Sequence, residues 1–146
     1  MSDTLKFRDY RLNTCFPKGA GSVDQMPSAP GVYAEIHRAV NYIRVGHSTN
    51  MRSRNKAAMT WAERHKTGTH TKASEIKRAA NGNSEITEIV KRYGAEGMEF
   101  YVICDDPRLV DKTERQALEN FMHEWCRKQS VYFDINREAA QKILKV

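Results

Sequence analysis

The sequence predicts an α+β fold: a small, mainly antiparallel three-stranded sheet flanked by helices. Three observations carry that prediction. Two short β-rich runs, residues 31–36 and 40–45, are separated only by His37-Arg38-Ala39, which is hairpin length. A third β-rich run, residues 98–104, stands far along the chain. The stretches between and after these runs carry the 3.6-residue apolar period of helices, without the regular strand–helix alternation of a parallel sheet.

Taken in order, residues 1–30 hold Pro17, Gly19, Gly21, Pro27 and Pro30 and no strong periodicity. They read as an irregular N-terminal arm ending in a turn, so that residues 1–28 precede a domain at 29–146. Asn50 is placed to cap a helix from Met51 to about His65, with Met51, Ala58, Trp61 and Ala62 as its apolar stripe. A second helical stretch covers about 72–80 and is broken by Asn81-Gly82-Asn83. Ser84 caps a third, which stops at Gly94. After the third strand, Asp105-Asp106-Pro107 turns the chain into a long helix over about 111–128. There Leu118, Phe121, Met122 and Trp125 recur at i, i+3, i+4 and i+7, the spacing of a buried face. Val131-Tyr132-Phe133 reads as a closing strand-like segment, and Asn136 precedes a short C-terminal helix.

At 146 residues the chain fits one domain, large enough to bury a core without disulfide or metal staples. No apolar run approaches membrane-spanning length, and Met1-Ser2-Asp3-Thr4 lacks a basic-then-apolar leader pattern. Cys15, Cys104 and Cys126 are odd in number, far apart and form no C-x-x-C pair, which points to reduced cytosolic thiols. A soluble intracellular domain is the expectation. The charge is uneven. Of the net +6, residues 38–78 hold ten Lys/Arg against Glu63 and Glu75, a local +8. Such a block favours a polyanion, nucleic acid above all, through phosphate neutralisation, although a solvated helix face has the same composition. His47, His65 and His70 within it favour phosphate.

The chemistry concentrates at Gly31-Val32-Tyr33, at Arg44-Val45-Gly46 and at Arg54, which bring a phenol and guanidinium groups to one hairpin and the helix after it. In this order and at this spacing the residues resemble the GIY-YIG nuclease family. Gly31-Val32-Tyr33 matches the first signature, and Arg44-Val45-Gly46 falls where the second belongs. Arg54 lies eight residues past that glycine, as the family's helix arginine does. Leu118-Glu119-Asn120-Phe121 is similar to the family's glutamate helix, and Asn136 follows where a late asparagine is expected. Gly68-Thr69-His70 and Arg92-Tyr93-Gly94 resemble phage-type homing members. The likeness covers about residues 29–136. Two positions depart from it: Arg44 replaces the second tyrosine, and Ala58 stands where some members carry a polar residue. Tyr42, two residues before Arg44, shares its strand face about 6–7 Å away, a partial substitute for that tyrosine.

The resemblance implies a metal-dependent endonuclease that hydrolyses phosphodiester bonds in double-stranded DNA in the cytoplasm of a bacterial or phage-infected cell. Glu119 is the implied ligand of one Mg²⁺ or Mn²⁺, ions that take hard oxygen donors. By periodicity alone Glu124 is its equal, and an ion pair with Arg115 is the plain alternative. Tyr33 is the implied general base or water-orienting phenol. With an ordinary pKa of about 10 it needs neighbouring positive charge, here from Arg44 and Arg54, or it is a packed strand tyrosine. Arg54 binds the scissile phosphate. His70, with His65 as competitor, and Asn136, otherwise an N-cap, complete the implied catalytic set. Arg52, Lys56, Arg64, Lys66 and Lys72 are the candidate contacts to flanking phosphates, or solvated helix charges. Gly46 lets backbone pass close to a phosphate or ends its strand. A homodimer is left open and no membrane partner is implied. The alternatives are a catalytically degenerate nucleic-acid-binding module using the basic 38–78 face, and a domain docking an acidic protein.

Overall fold

The computed structural model describes residues 5–40, 42–69 and 84–128. The α+β class and the three-stranded antiparallel sheet are as expected: β3 (Gly31–His37) lies between β4 (Tyr42–Ser48) and β5 (Met98–Cys104), antiparallel to both. Ahead of them come β1 (Leu5–Phe7) and β2 (Tyr10–Leu12), and the helices are α1 (Met51–Thr67), α2 (Ser84–Tyr93) and α3 (Lys112–Lys128). The expected helix at 72–80, the closing strand at 131–133 and the helix after Asn136 lie outside the described residues.

Every residue of β3 is buried, and its alternation divides the core in two. Val32, Ala34 and Ile36 face Ile43 and Val45 of β4 and meet Leu118, Met122 and Cys126 of α3. Tyr33 faces the other way, into a cluster with Met51, Ala58 and Ala62 of α1 and Ile86 and Val90 of α2. Helix α1 starts where Asn50 accepts a hydrogen bond from the Ser53 N–H at 3.0 Å, the expected cap. Helix α2 stops at Gly94, whose φ of +60° suits a residue without a Cβ, and a Cβ there would come within 2.5 Å of Glu63.

The arm expected to be irregular is so over most of residues 13–30, but residues 5–12 are ordered as a hairpin. Leu5, Phe7, Tyr10 and Leu12 form a two-stranded ladder closed by Arg8-Asp9, and Tyr10, Leu12 and Phe16 are core residues on the α3 side. The turn has none of the usual glycine or asparagine chemistry, and Arg8 takes a positive φ of 54°. Tertiary contacts hold it there. Arg8 pairs with Glu114 of α3, and Arg108 pairs with Asp9 at 2.7 Å while its guanidinium lies 4.3 Å over the Tyr10 ring. Residues 13–21 then run along the outer edge of β5. Asn13 N–H donates to the Ile103 carbonyl at 2.8 Å and Phe100 N–H to the Gly21 carbonyl at 3.3 Å. An edge strand covered in this way is closed to pairing with another chain.

Glu99 fastens that cover. Its carboxylate accepts from Gly19 N–H at 3.0 Å, Arg38 Nε at 3.0 Å and the Tyr101 hydroxyl at 2.5 Å. Burial raises its pKa, but the hydrogen bonds from Tyr101, Arg38 and Gly19 outweigh it and hold the carboxyl below its ordinary value. A folded-state pKa depressed in this way stabilises the protein above the unfolded pKa and is lost as pH falls through the folded one. Glu99→Gln is therefore expected to cost roughly 1–3 kcal/mol at pH 7. The gap to wild type should narrow in urea titrations repeated below about pH 4.

Candidate functional site

Residues directly opposite in an antiparallel pair project to the same side of the sheet. The β3–β4 register sets Tyr33 opposite Gly46, Glu35 opposite Arg44 and His37 opposite Tyr42. The hairpin thus presents a phenol, an acid, a guanidinium and an imidazole to the face that α1 covers. Next to Tyr33 the β3–β5 register shifts by one residue, a bulge that breaks the ladder at the site.

Helix α1 runs along this face. Met51 packs on Gly31, and Ala58 and Trp61 line one narrow crevice with Glu35, Arg44 and Ile86. Arg54 lies two turns before Trp61 and so shares its edge of the helix. That edge brings Arg54 towards β4, where its charge is felt at both Tyr33 and Glu35. Tyr33, Arg44 and Arg54 are therefore gathered at one place. Glu119 lies on α3, across the sheet from α1. Helix α3 packs on the other face of β4, and the negative charge of Glu119 acts on Tyr33 from there. Glu119 is half-buried, 3.8 Å from His123 Nε2, whereas Glu124 is exposed.

Tyr33 differs from the expectation. Burial raises its pKa, Arg44 and Arg54 lower it, and Glu35 and Glu119 raise it again. The sum is a shift upward, so two nearby cations do not make it a base at neutral pH. It is a neutral phenol, by its chemistry able to donate a hydrogen bond and not to take up a proton. Gly46 also has another reason to be glycine. It lies inside β4, and a Cβ there would stand 2.6 Å from the Tyr33 hydroxyl oxygen and 2.7 Å from Cζ. The glycine makes room for the phenol. Tyr42, on the same face, is buried in the core opposite His37, two pairs away from Tyr33, and does not stand in for a second site tyrosine.

The basic residues of α1 part company. At 100° per residue, Arg52, Lys56 and Lys66 lie roughly 120–160° around the helix from Arg54. Arg52 is spent on the fold: its Nε donates to the Met26 carbonyl at 2.6 Å and its Nη2 to the Asp24 carbonyl at 3.1 Å. Lys56, Arg64 and Lys66 are exposed, and Arg64 is the one nearest the Arg54 edge. His65 is buried, with Nδ1 donating to the Trp61 carbonyl at 3.0 Å, so it packs within the helix face. His70, Lys72 and Asn136 lie outside the described residues.

Two site residues were not singled out from the sequence. Glu35 is buried, accepts from His37 Nε2 at 2.8 Å and lies 3.6 Å from Arg44. Burial alone would raise its pKa, yet His37, Arg44 and Arg54 push it down to about 2, so it is a buried anion. Asn55 is fully buried on the α1 stripe between Met51 and Ala58, residues that belong to the same cluster as Tyr33. Neither atom of its carboxamide has a hydrogen-bond partner among the described residues. The signal for Glu35 was an acid inside an apolar strand, but only the register shows that it faces an arginine.

Among the described residues no three His, Cys, Asp or Glu side chains are grouped to hold an ion, and Glu35 is engaged by His37 and Arg44. Glu119 remains as a single carboxylate. That donor set fits Mg²⁺ or Mn²⁺ held by one carboxylate, water and a substrate phosphate, and does not fit an all-protein cage.

Two outcomes test this geometry. Gly46→Ala should cost about 1–3 kcal/mol in urea unfolding, because the methyl must displace a buried ring. In a spectrophotometric titration, Tyr33→Phe should remove a phenol that ionises above pH 10 and leave the absorbance between pH 7 and 9 unchanged. None of the family models, curated proteins and solved structures compared with the chain matches it.

Proposed function

We propose that the chain is a cytoplasmic, metal-dependent endonuclease of the GIY-YIG type that hydrolyses phosphodiester bonds in double-stranded DNA. The observation that supports it best is the convergence of Tyr33, Arg44 and Arg54 beneath one edge of α1, within reach of the charge of Glu119. Phosphoryl transfer needs charge neutralisation on the phosphate oxygens, and Arg54 and Arg44 supply it. Tyr33, as a neutral phenol, donates to the phosphate or to the attacking water and holds it in place. Glu119 would hold one Mg²⁺ or Mn²⁺, which when bound polarises the phosphate and lowers the pKa of water. Arg64, exposed on α1 nearest the Arg54 edge, contacts a flanking phosphate.

A second reading, a binding module without cleavage, is favoured by one observation: the position of the second site tyrosine holds Arg44, paired to a buried acid. Supercoiled plasmid with Mg²⁺ or Mn²⁺ separates the two. Under the nuclease reading wild type cuts, EDTA and Glu119→Ala abolish cutting, and Arg54→Ala slows it about 100- to 1000-fold. Wild type that binds DNA with a steep salt dependence but cuts no nucleic acid would establish the binding module instead.

A further inference from the structure

We propose that Glu35 is a positioning residue that presents the Arg44 guanidinium to a nucleic-acid phosphate. The proposal rests on the reading of the site given above. Glu35 and Arg44 are direct cross-strand partners, so their side chains leave the sheet side by side. The pair has an inner and an outer end: the Glu35 side chain is 3% exposed and that of Arg44 17%. The narrow crevice they line is walled by Ala58, Trp61 and Ile86.

The contact between the pair is one of charge. Glu35 Oε1 lies 3.6 Å from Arg44 Nη1, beyond hydrogen-bond range, and has no hydrogen bond among the described residues. The other oxygen accepts from His37 Nε2 at 2.8 Å, which fixes the carboxylate plane. His37 thus orients Glu35, and Glu35 draws the guanidinium to one side without closing it into a bidentate fork. A buried anion whose lone pairs are not all satisfied is costly, and breaking a buried pair more so, which is a reason for Arg44 to stay at this spot. An arginine held in this way meets a phosphate pre-oriented.

The test is the arginine side-chain ¹⁵N spectrum of the full chain, titrated with a short DNA duplex in EDTA so that nothing is cut. In wild type the Arg44 Nε–H resonance, assigned by its loss in Arg44→Lys, should shift on adding duplex. In Glu35→Gln that shift should vanish while the Arg54 shift persists, and Glu35→Asp, which keeps the charge, should restore part of it. With metal added, Glu35→Gln and Arg44→Lys should each slow cleavage about 100-fold with apparent affinity little changed. The double variant should be no slower than the slower single one, as for residues acting as a unit. Should Glu35→Gln fail to fold, His37→Asn, which loosens the carboxylate without removing it, must halve the Arg44 shift or more. An unchanged Arg44 shift in either folded variant overturns the proposal, as does a wild-type Arg44 that ignores the duplex. A wild type whose Arg44 responds through Glu35 but which cuts no DNA supports the positioning role and overturns the nuclease reading alone.

Discussion

Strand β3 is hydrogen-bonded along both edges and covered on both faces, so each of its side chains has an assigned neighbour. Even positions hold α3 and the N-terminal hairpin, and odd positions meet α1 and α2. The residues with chemistry, Tyr33 and Glu35, are odd. Because the side-chain period is two, a slip of one residue would exchange Tyr33 and Glu35 for Val32 and Ala34 and remove the site altogether. The apolar face sets the register, and the polar face inherits it.

Electrostatics on the α1 face follows from burial. Glu35 stays ionised in the interior because a histidine and two arginines surround it. Tyr33 sits among the same arginines but also beside two carboxylates, and desolvation keeps its proton in place. Counting cations near a phenol therefore misjudges its state, since the same packing that gathers them excludes water and admits their counter-charges. On the far side of β4, Arg115 is held by the Leu109 and Val110 carbonyls and donates to His47 Nδ1 at 3.2 Å, which braces the strand against α3.

The N-terminal arm has a supporting role. Its hairpin fills the α3 side of the core, and residues 13–21 shield β5. Its ion pairs with Arg108 and Glu114 lie at the start of α3, the helix that carries Glu119. What fixes the arm also fixes the helix from which that carboxylate projects.

The sequence by itself determined the class of fold, the third strand, the Asn50 cap of α1 and the Gly94 stop of α2, and it named the candidates Tyr33, Arg44, Arg54 and Glu119. These are local signals: a β-rich run, a capping asparagine, a terminating glycine, an apolar period. Tertiary structure decided the rest. The β1–β2 hairpin was illegible because its turn is Arg8-Asp9, and contacts from α3 and Arg108 stabilise it where turn chemistry does not. A loop of 37–39 would pair Ile36 with Val40 and set Arg44 opposite Val32, whereas the observed register sets it opposite Glu35. Three residues of loop placement thus conceal the buried acid. The protonation of Tyr33, the reason for Gly46 and the loss of Arg52 to the Asp24 and Met26 carbonyls share one cause. Each depends on what packs across the sheet, and desolvation and steric exclusion act between segments distant in the chain.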